Sequence, residues 1–142
     1  MHKPSSLNGD EERAIVALLF RYAAGIDRRD WPLFASCFTA DLETDYGALG
    51  QWHGRDPFVE HMRQGHANLG RTLHRITNYE ITGNADEAAA TCYVDALLMR
   101  QEPSKAYRQA HGWYEDQLIR DQEGWKIARR KFTAVMIQDL SR

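Results

Sequence analysis

Apolar residues recur at three- and four-residue intervals through Ile15, Leu18, Leu19, Tyr22 and Ile26, the spacing of one buried helix face. Asp10 stands where a cap is needed, and Glu11 and Glu12 follow in the first turn, where the helix dipole favours negative charge. A helix is therefore expected over residues 11–26, weakened in its last turn by Gly25, with the polar stretch 1–9 as a flexible tail. Asp27-Arg28-Arg29-Asp30 is a charged break, and Trp31-Pro32-Leu33-Phe34, with proline in the first turn, begins a short second helix. Leu42 to Tyr46 alternates as a strand does, and Gly47 and Gly50 offer a turn into Gln51-Trp52-His53. Asp56 before Pro57 starts a third helix that buries Phe58, Val59 and Met62.

The second half reads as strands throughout. Residues 73–81, 88–99, 106–120 and 125–137 are the expected strands, with turns at 82–86 and 121–124. Strands of this length bend, and Gly112 is placed to supply a bulge. Helices followed by long strands predict an α+β fold: a cone-shaped, curved antiparallel sheet wrapped around the long N-terminal helix. That helix covers only part of the concave face, so a residual internal cavity is expected to hold a small ligand.

At 142 residues the chain suits a single domain, 1–142, and no linker or repeat divides it. A net charge of -2 gives no electrostatic reason to expect nucleic acid or an anionic membrane as partner. No apolar run is long enough to span a bilayer, and the first residues lack the apolar stretch of a secretory signal. Cys37 and Cys92 have no CxxC spacing and read as buried thiols of a reducing, cytoplasmic setting. His53, His61 and His66 match no zinc spacing and are expected on the surface, so neither metal nor other cofactor is anticipated. There is no glycine-rich phosphate loop and no nucleophile elbow.

Four stretches carry a resemblance that covers the chain from about residue 11 to residue 137. They are Arg21-Tyr22-Ala23-Ala24-Gly25-Ile26-Asp27, the run from Leu33 to Asp41, His74-Arg75-Ile76-Thr77-Asn78, and the closing Gly124-Trp125-Lys126-Ile127-Ala128-Arg129-Arg130. In these the chain resembles the SnoaL-like group of the nuclear transport factor 2-like superfamily, which includes scytalone dehydratase, bile acid dehydratases and hexachlorocyclohexane dehydrochlorinase. The resemblance implies a cystatin-like α+β barrel and a dyad of an aspartate at the first helix end with a strand histidine, here Asp27 and His74. It also implies a tyrosine five residues before the aspartate, Tyr22, and an arginine on the last strand, Arg130 in preference to Arg129. The second histidine of scytalone dehydratases is not reproduced on the following strand, which reads Tyr93-Val94-Asp95-Ala96; Asp95 or Tyr93 is then expected at the pocket, and His111 if it points inward.

Such a set suits proton abstraction next to a carbonyl: an imidazole base near neutrality, a carboxylate that fixes its tautomer, and a donor for the oxygen that gains charge. Each residue also has a plainer reading. Tyr22 lies on the apolar stripe and could be a core tyrosine, and Asp27 could open a solvated turn. On a straight helix they lie about 140° apart, so both reach one pocket only if the helix ends or distorts near Gly25. Phe20, Trp31, Trp52, Tyr93 and Met99 are the expected apolar lining.

The leading expectation is a cofactor-independent lyase or isomerase on a small hydrophobic cyclic substrate. The alternatives are a non-catalytic subunit like the small subunit of aromatic-ring-hydroxylating dioxygenases, and a polyketide cyclase-like ligand-binding domain. A homo-oligomer, dimer or trimer, is expected because an open cone leaves sheet edges and an outer apolar face to cover, with Trp113, Tyr114 and Trp125 as interface candidates.

Overall fold

A computed structural model describes residues 6–102 and 106–140. Helix α1 spans Gly9–Asp27, α2 Trp31–Ala35 and α3 Arg55–His66, with strands β1 (Phe38–Asp45) and β2 (Gln51–His53) between the last two. Four long strands follow: β3 Leu69–Gly83, β4 Glu87–Arg100, β5 Ala106–Asp121 and β6 Gly124–Asp139. The six form one sheet in the order β2-β1-β6-β5-β4-β3, curled over α1 but not closed. Every pairing is antiparallel except β1 with β6, which is parallel. No hairpin joins those two, so nothing in the connection forces them to oppose.

The helix begins earlier than expected. Asn8, not Asp10, is the cap, its Oδ1 accepting from the Glu11 amide at 2.9 Å. Part of the expected tail is structured: Ser6 bridges to Asn84, whereas residues 1–5 lie outside the described residues. The predicted stripe is the buried face, with Ile15, Leu18, Leu19, Tyr22 and Ile26 all at 1% exposure or less. Among the described residues no helix is long and apolar enough to cross a membrane.

Gly25 serves a different end from the one expected. It sits where α2 crosses α1, and a Cβ there would lie 2.8 Å from both the amide nitrogen and the Cα of Phe34. The glycine is what lets the two helices approach, so α1 continues past it to Asp27. Gly25→Ala is expected to cost about 1–3 kcal/mol through overpacking. Gly65→Ala on α3, where a Cβ would meet nothing within 4 Å, is the control. Urea denaturation of the two variants separates close approach from helix propensity.

Strand alternation builds the interior. In β4 the buried positions are Ala88, Ala90, Cys92, Val94 and Ala96; in β5 they are Gly112, Tyr114, Asp116 and Leu118. The register slips between His111 and Gly112, as a bulge does, and a Cβ on Gly112 would lie 2.1 Å from the Thr133 carbonyl oxygen. Further irregularities in β3 and late in β5 add curvature. The core is strongly aromatic: Tyr22, Phe34, Phe38, Tyr46, Phe58, Tyr114 and Phe132 are all buried and belong to one cluster.

Candidate active site

At the C-terminal end of α1, Asp27 meets β3. Its Oδ1 lies 2.7 Å from His74 Nδ1 and accepts from the Thr72 hydroxyl at 2.9 Å, while Oδ2 accepts the His74 amide at 2.8 Å. Thr72 and His74, two apart on a strand, face the same side, so one carboxylate can take donors from both. With Nδ1–H donated to the carboxylate, Nε2 is left as the basic nitrogen. The His74 and Asp27 side chains are 9% and 18% exposed.

His74 lines a cavity of about 400 Å³ whose wall includes Tyr22, Tyr46, Trp52, Tyr114 and Phe132. Asp27 is not part of that wall; it stands behind the imidazole. The 140° between Tyr22 and Asp27 is thereby resolved without a helix distortion, because only Tyr22 and His74 need to share the cavity. A larger groove of about 660 Å³, bounded by Asp41, Glu43, Asn84 and Arg129 among others, contains none of these histidines or tyrosines.

The other polar group is a set of three phenols. The Tyr22 hydroxyl lies 3.1 Å from that of Tyr46 and 3.3 Å from that of Tyr114. Two bonds among three hydroxyls use two of their three protons, so this set has one proton left to give. Burial pushes the Tyr46 and Tyr114 hydroxyls well above the usual phenol range, reinforced by neighbouring tyrosines and opposed by Arg130. They therefore remain protonated donors at neutral pH.

Arg130 points inward and Arg129 outward, the latter to Glu43 at 2.7 Å. The Arg130 charge is already engaged: Nε and Nη2 donate to the Asp116 carboxylate at 2.7 and 2.8 Å, and both side chains are fully buried. Its guanidinium carbon lies 4.2 Å from the Tyr22 ring centroid and 3.7 Å from that of Tyr114. Burial works against the charge, but the Asp116 carboxylate outweighs it and holds the guanidinium firmly protonated. Arg130 is absent from the cavity wall and meets it only through the tyrosine rings.

Several expected lining residues lie elsewhere, for reasons of parity. The inward positions of β4 are even-numbered, so Tyr93, Asp95 and Met99 fall on the outer side, and Leu98 lines the cavity in place of Met99. His111 is likewise outward on β5, with Nδ1 bonded to Asp95 Oδ1 at 2.7 Å. Phe20 is 49% exposed on the far side of α1. Trp31 packs edge-on against Phe34 and His66 and bounds a separate side cleft. Of the interface candidates, Tyr114 and Trp125 are core residues; the exposed large apolar groups include Leu73, Tyr93, Val135 and Met136.

Sequence reasoning missed Tyr46, Tyr114 and His66 at the cavity. Strand alternation could have found Tyr114, since it shares parity with Leu118. His66 is 8% exposed at the end of α3 rather than on the surface, its Nδ1 2.8 Å from the Met62 carbonyl and its ring 6.2 Å from that of His74. His61 lies over Trp52, ring centroids 4.3 Å apart, and also reaches the cavity. Burial pulls His66 down to about 4, with the Met62 carbonyl opposing and His74 adding to the fall.

The unfolded chain takes up this proton near pH 6.5 and the folded one only near 4. Stability from neutral His66 is therefore fully present above pH 6.5 and lost as pH falls towards 4, by up to about 1.4 kcal/mol per unit. Urea unfolding at pH 7 and pH 5 is expected to show a smaller pH dependence in His66→Gln than in the unsubstituted chain. Both thiols are buried, and burial raises them to about 11. Among the described residues no group of three His, Cys, Asp or Glu side chains is arranged to hold a metal ion.

The profile of the SnoaL-like domain family matches residues 10–131. An uncharacterised protein of Mycobacterium tuberculosis (strain ATCC 25618 / H37Rv) is 29% identical over 119 residues, covering 82% of this chain and 80% of that one. Among solved structures, a scytalone dehydratase-like protein of Novosphingobium aromaticivorans DSM 12444 superposes with a TM-score of 0.84 at 24% identity, over 94% of this chain and 89% of the other. A type 2 hexachlorocyclohexane dehydrochlorinase gives 0.80 at 19% identity, over 93% and 90%. At these identities the structural likenesses speak for the fold.

Proposed function

This chain belongs to the SnoaL-like domain family, and on that footing we propose that it is a cofactor-independent lyase or isomerase acting on a small, largely apolar cyclic substrate. The observation that carries this is the placement of His74 in the wall of an apolar cavity with Asp27 at 2.7 Å behind it and Tyr22 in the same wall. His74 Nε2 takes the proton from the carbon next to a carbonyl. The electron pair moves towards the carbonyl oxygen, which the tyrosine hydroxyls meet with a hydrogen bond. Collapse of the enolate expels a leaving group from the β-carbon, and in a dehydration the imidazolium proton leaves with the hydroxide as water. In a double-bond shift the same proton returns to carbon.

Trp52, Leu98, Val94 and Phe132 give the substrate body apolar walls. A purely structural subunit has no need of a cavity this size with a hydrogen-bonded histidine in its wall, so the catalytic reading stands first. The test is formation of a conjugated enone, followed by ultraviolet absorbance, from a panel of cyclic β-hydroxy and β-halo ketones. Turnover by the unsubstituted chain that Asp27→Asn loses supports the reading; equal turnover by both sinks it.

A further inference from the structure

The charged break after α1 contains an unusual residue. Arg29 adopts φ 56, a left-handed conformation that costs a non-glycine residue on the order of 1–2 kcal/mol. Glycine would sit there without strain, yet the position holds an arginine whose guanidinium ties three places together. Nη1 donates to the Ile26 carbonyl at 2.9 Å and to Thr72 Oγ1 at 2.9 Å, and Nη2 donates to the Gly70 carbonyl at 2.6 Å.

We propose that Arg29 and Thr72 are positioning residues that hold the Asp27 carboxylate against His74 Nδ1 and so keep the imidazole in its Nδ1–H tautomer. A guanidinium can only donate. The Thr72 oxygen, accepting from Arg29, must therefore spend its single proton on its other neighbour, Asp27 Oδ1 at 2.9 Å. Without Arg29 the hydroxyl loses the donor that fixes its place, and the carboxylate loses a firmly held partner that keeps Oδ1 against His74 Nδ1. With it, the order runs one way: Arg29 donates to Thr72, Thr72 to Asp27, and His74 donates through Nδ1 at 2.7 Å and through its backbone amide at 2.8 Å.

Three donors from β3 thus hold both carboxylate oxygens, and the imidazole can complete the set only with its proton on Nδ1. Nε2 is kept as the lone pair that faces substrate. The backbone strain at Arg29 is the cost of bringing a guanidinium to this spot from a chain that is turning into α2. The role rests on the acid–base reading of His74.

The test uses the full chain with nitrogen-15-labelled histidine, comparing Thr72→Val, Thr72→Ser and Arg29→Gly. Thr72→Val keeps the shape and removes the hydroxyl, while Arg29→Gly relieves the backbone strain and removes the guanidinium. Imidazole nitrogen shifts in the substrate-free protein are expected to show a single Nδ1–H tautomer of His74 in the unsubstituted chain and in Thr72→Ser. Mixed tautomers are expected in Thr72→Val and Arg29→Gly. On an identified substrate, those two are expected to lose about tenfold in kcat with KM unchanged, and Thr72→Ser to recover it.

Thermal melts separate positioning from simple bracing. If Thr72→Val and Arg29→Gly melt lower but keep the original tautomer, the two residues are a structural strap and the proposal is wrong. Because the tautomer is read without turnover, a changed tautomer in a protein that turns nothing over would support the positioning while removing the catalytic reading.

Discussion

His74→Ala is expected to lower turnover by about 10²–10⁴-fold, with the melting temperature little changed. Among the described residues, His74 is the one histidine of the cavity wall with a ring nitrogen bonded to a carboxylate; His66 is turned to the Met62 carbonyl instead, so no neighbour takes over its proton. Asp27 keeps the Thr72 hydroxyl and the backbone amide as partners when the ring is removed, which limits the structural damage. Asp27→Asn is expected to cost a similar amount for a different reason. If the amide NH2 takes the Oδ1 position, it must donate to Nδ1, driving the imidazole proton to Nε2 and removing the lone pair from the side that faces substrate; the loss for a wrong tautomer is on the order of 10⁴. Steady-state kinetics beside thermal melts checks both variants. A drop in kcat that only tracks a drop in melting temperature would place these residues in the scaffold rather than the chemistry.

The second large effect is on stability. Arg130→Met leaves the Asp116 carboxylate fully buried and without its bidentate partner, and is expected to cost about 3–5 kcal/mol in urea denaturation. Replacing both residues, Arg130→Met with Asp116→Leu, is expected to restore most of that stability, since an apolar pair of similar volume carries no desolvation penalty. The double variant still lacks the cation over the faces of Tyr22 and Tyr114, whose positive field helps offset the charge that builds on the substrate oxygen. It is therefore expected to fold well and turn over slowly. A single variant that loses less than about 1 kcal/mol would show that water reaches the pair, at odds with its burial.

Much of this architecture was legible in the chain. The stripe from Ile15 to Ile26 fixes the buried face of α1, and the long alternating runs fix four strands, because both follow from periodicity alone. The positions of Asp27 and His74 came from resemblance; their contact could not have come from spacing, since 47 residues separate them. What was misplaced was mostly a matter of parity. Tyr93, Asp95, Met99 and His111 were expected at the pocket, but one residue of strand register decides the side, and the inward positions of β4 and β5 are the even-numbered ones. Phe20, expected in the cavity lining, follows Leu19 by one residue and so turns about 100° off the buried face of α1 into solvent. His66 was expected on the surface because its spacing from His53 and His61 fits no zinc site; its burial comes from contacts distant in sequence, with Trp31 and with His74 of β3 beside its ring. Arg29 looked like one charge among four; its role depends on a backbone angle and a threonine 43 residues away.

Whether His74 removes a proton from carbon can be measured without knowing the natural substrate. Cyclohexanone, 1-tetralone and 2-decalone, each incubated with the protein in deuterium oxide, would be followed by proton NMR for loss of the hydrogens next to the carbonyl. Exchange faster than in buffer, for at least one ketone, is predicted with the unsubstituted chain, and exchange at the buffer rate with His74→Ala. Equal rates for the two proteins across all three ketones would contradict the assignment of His74 as the base.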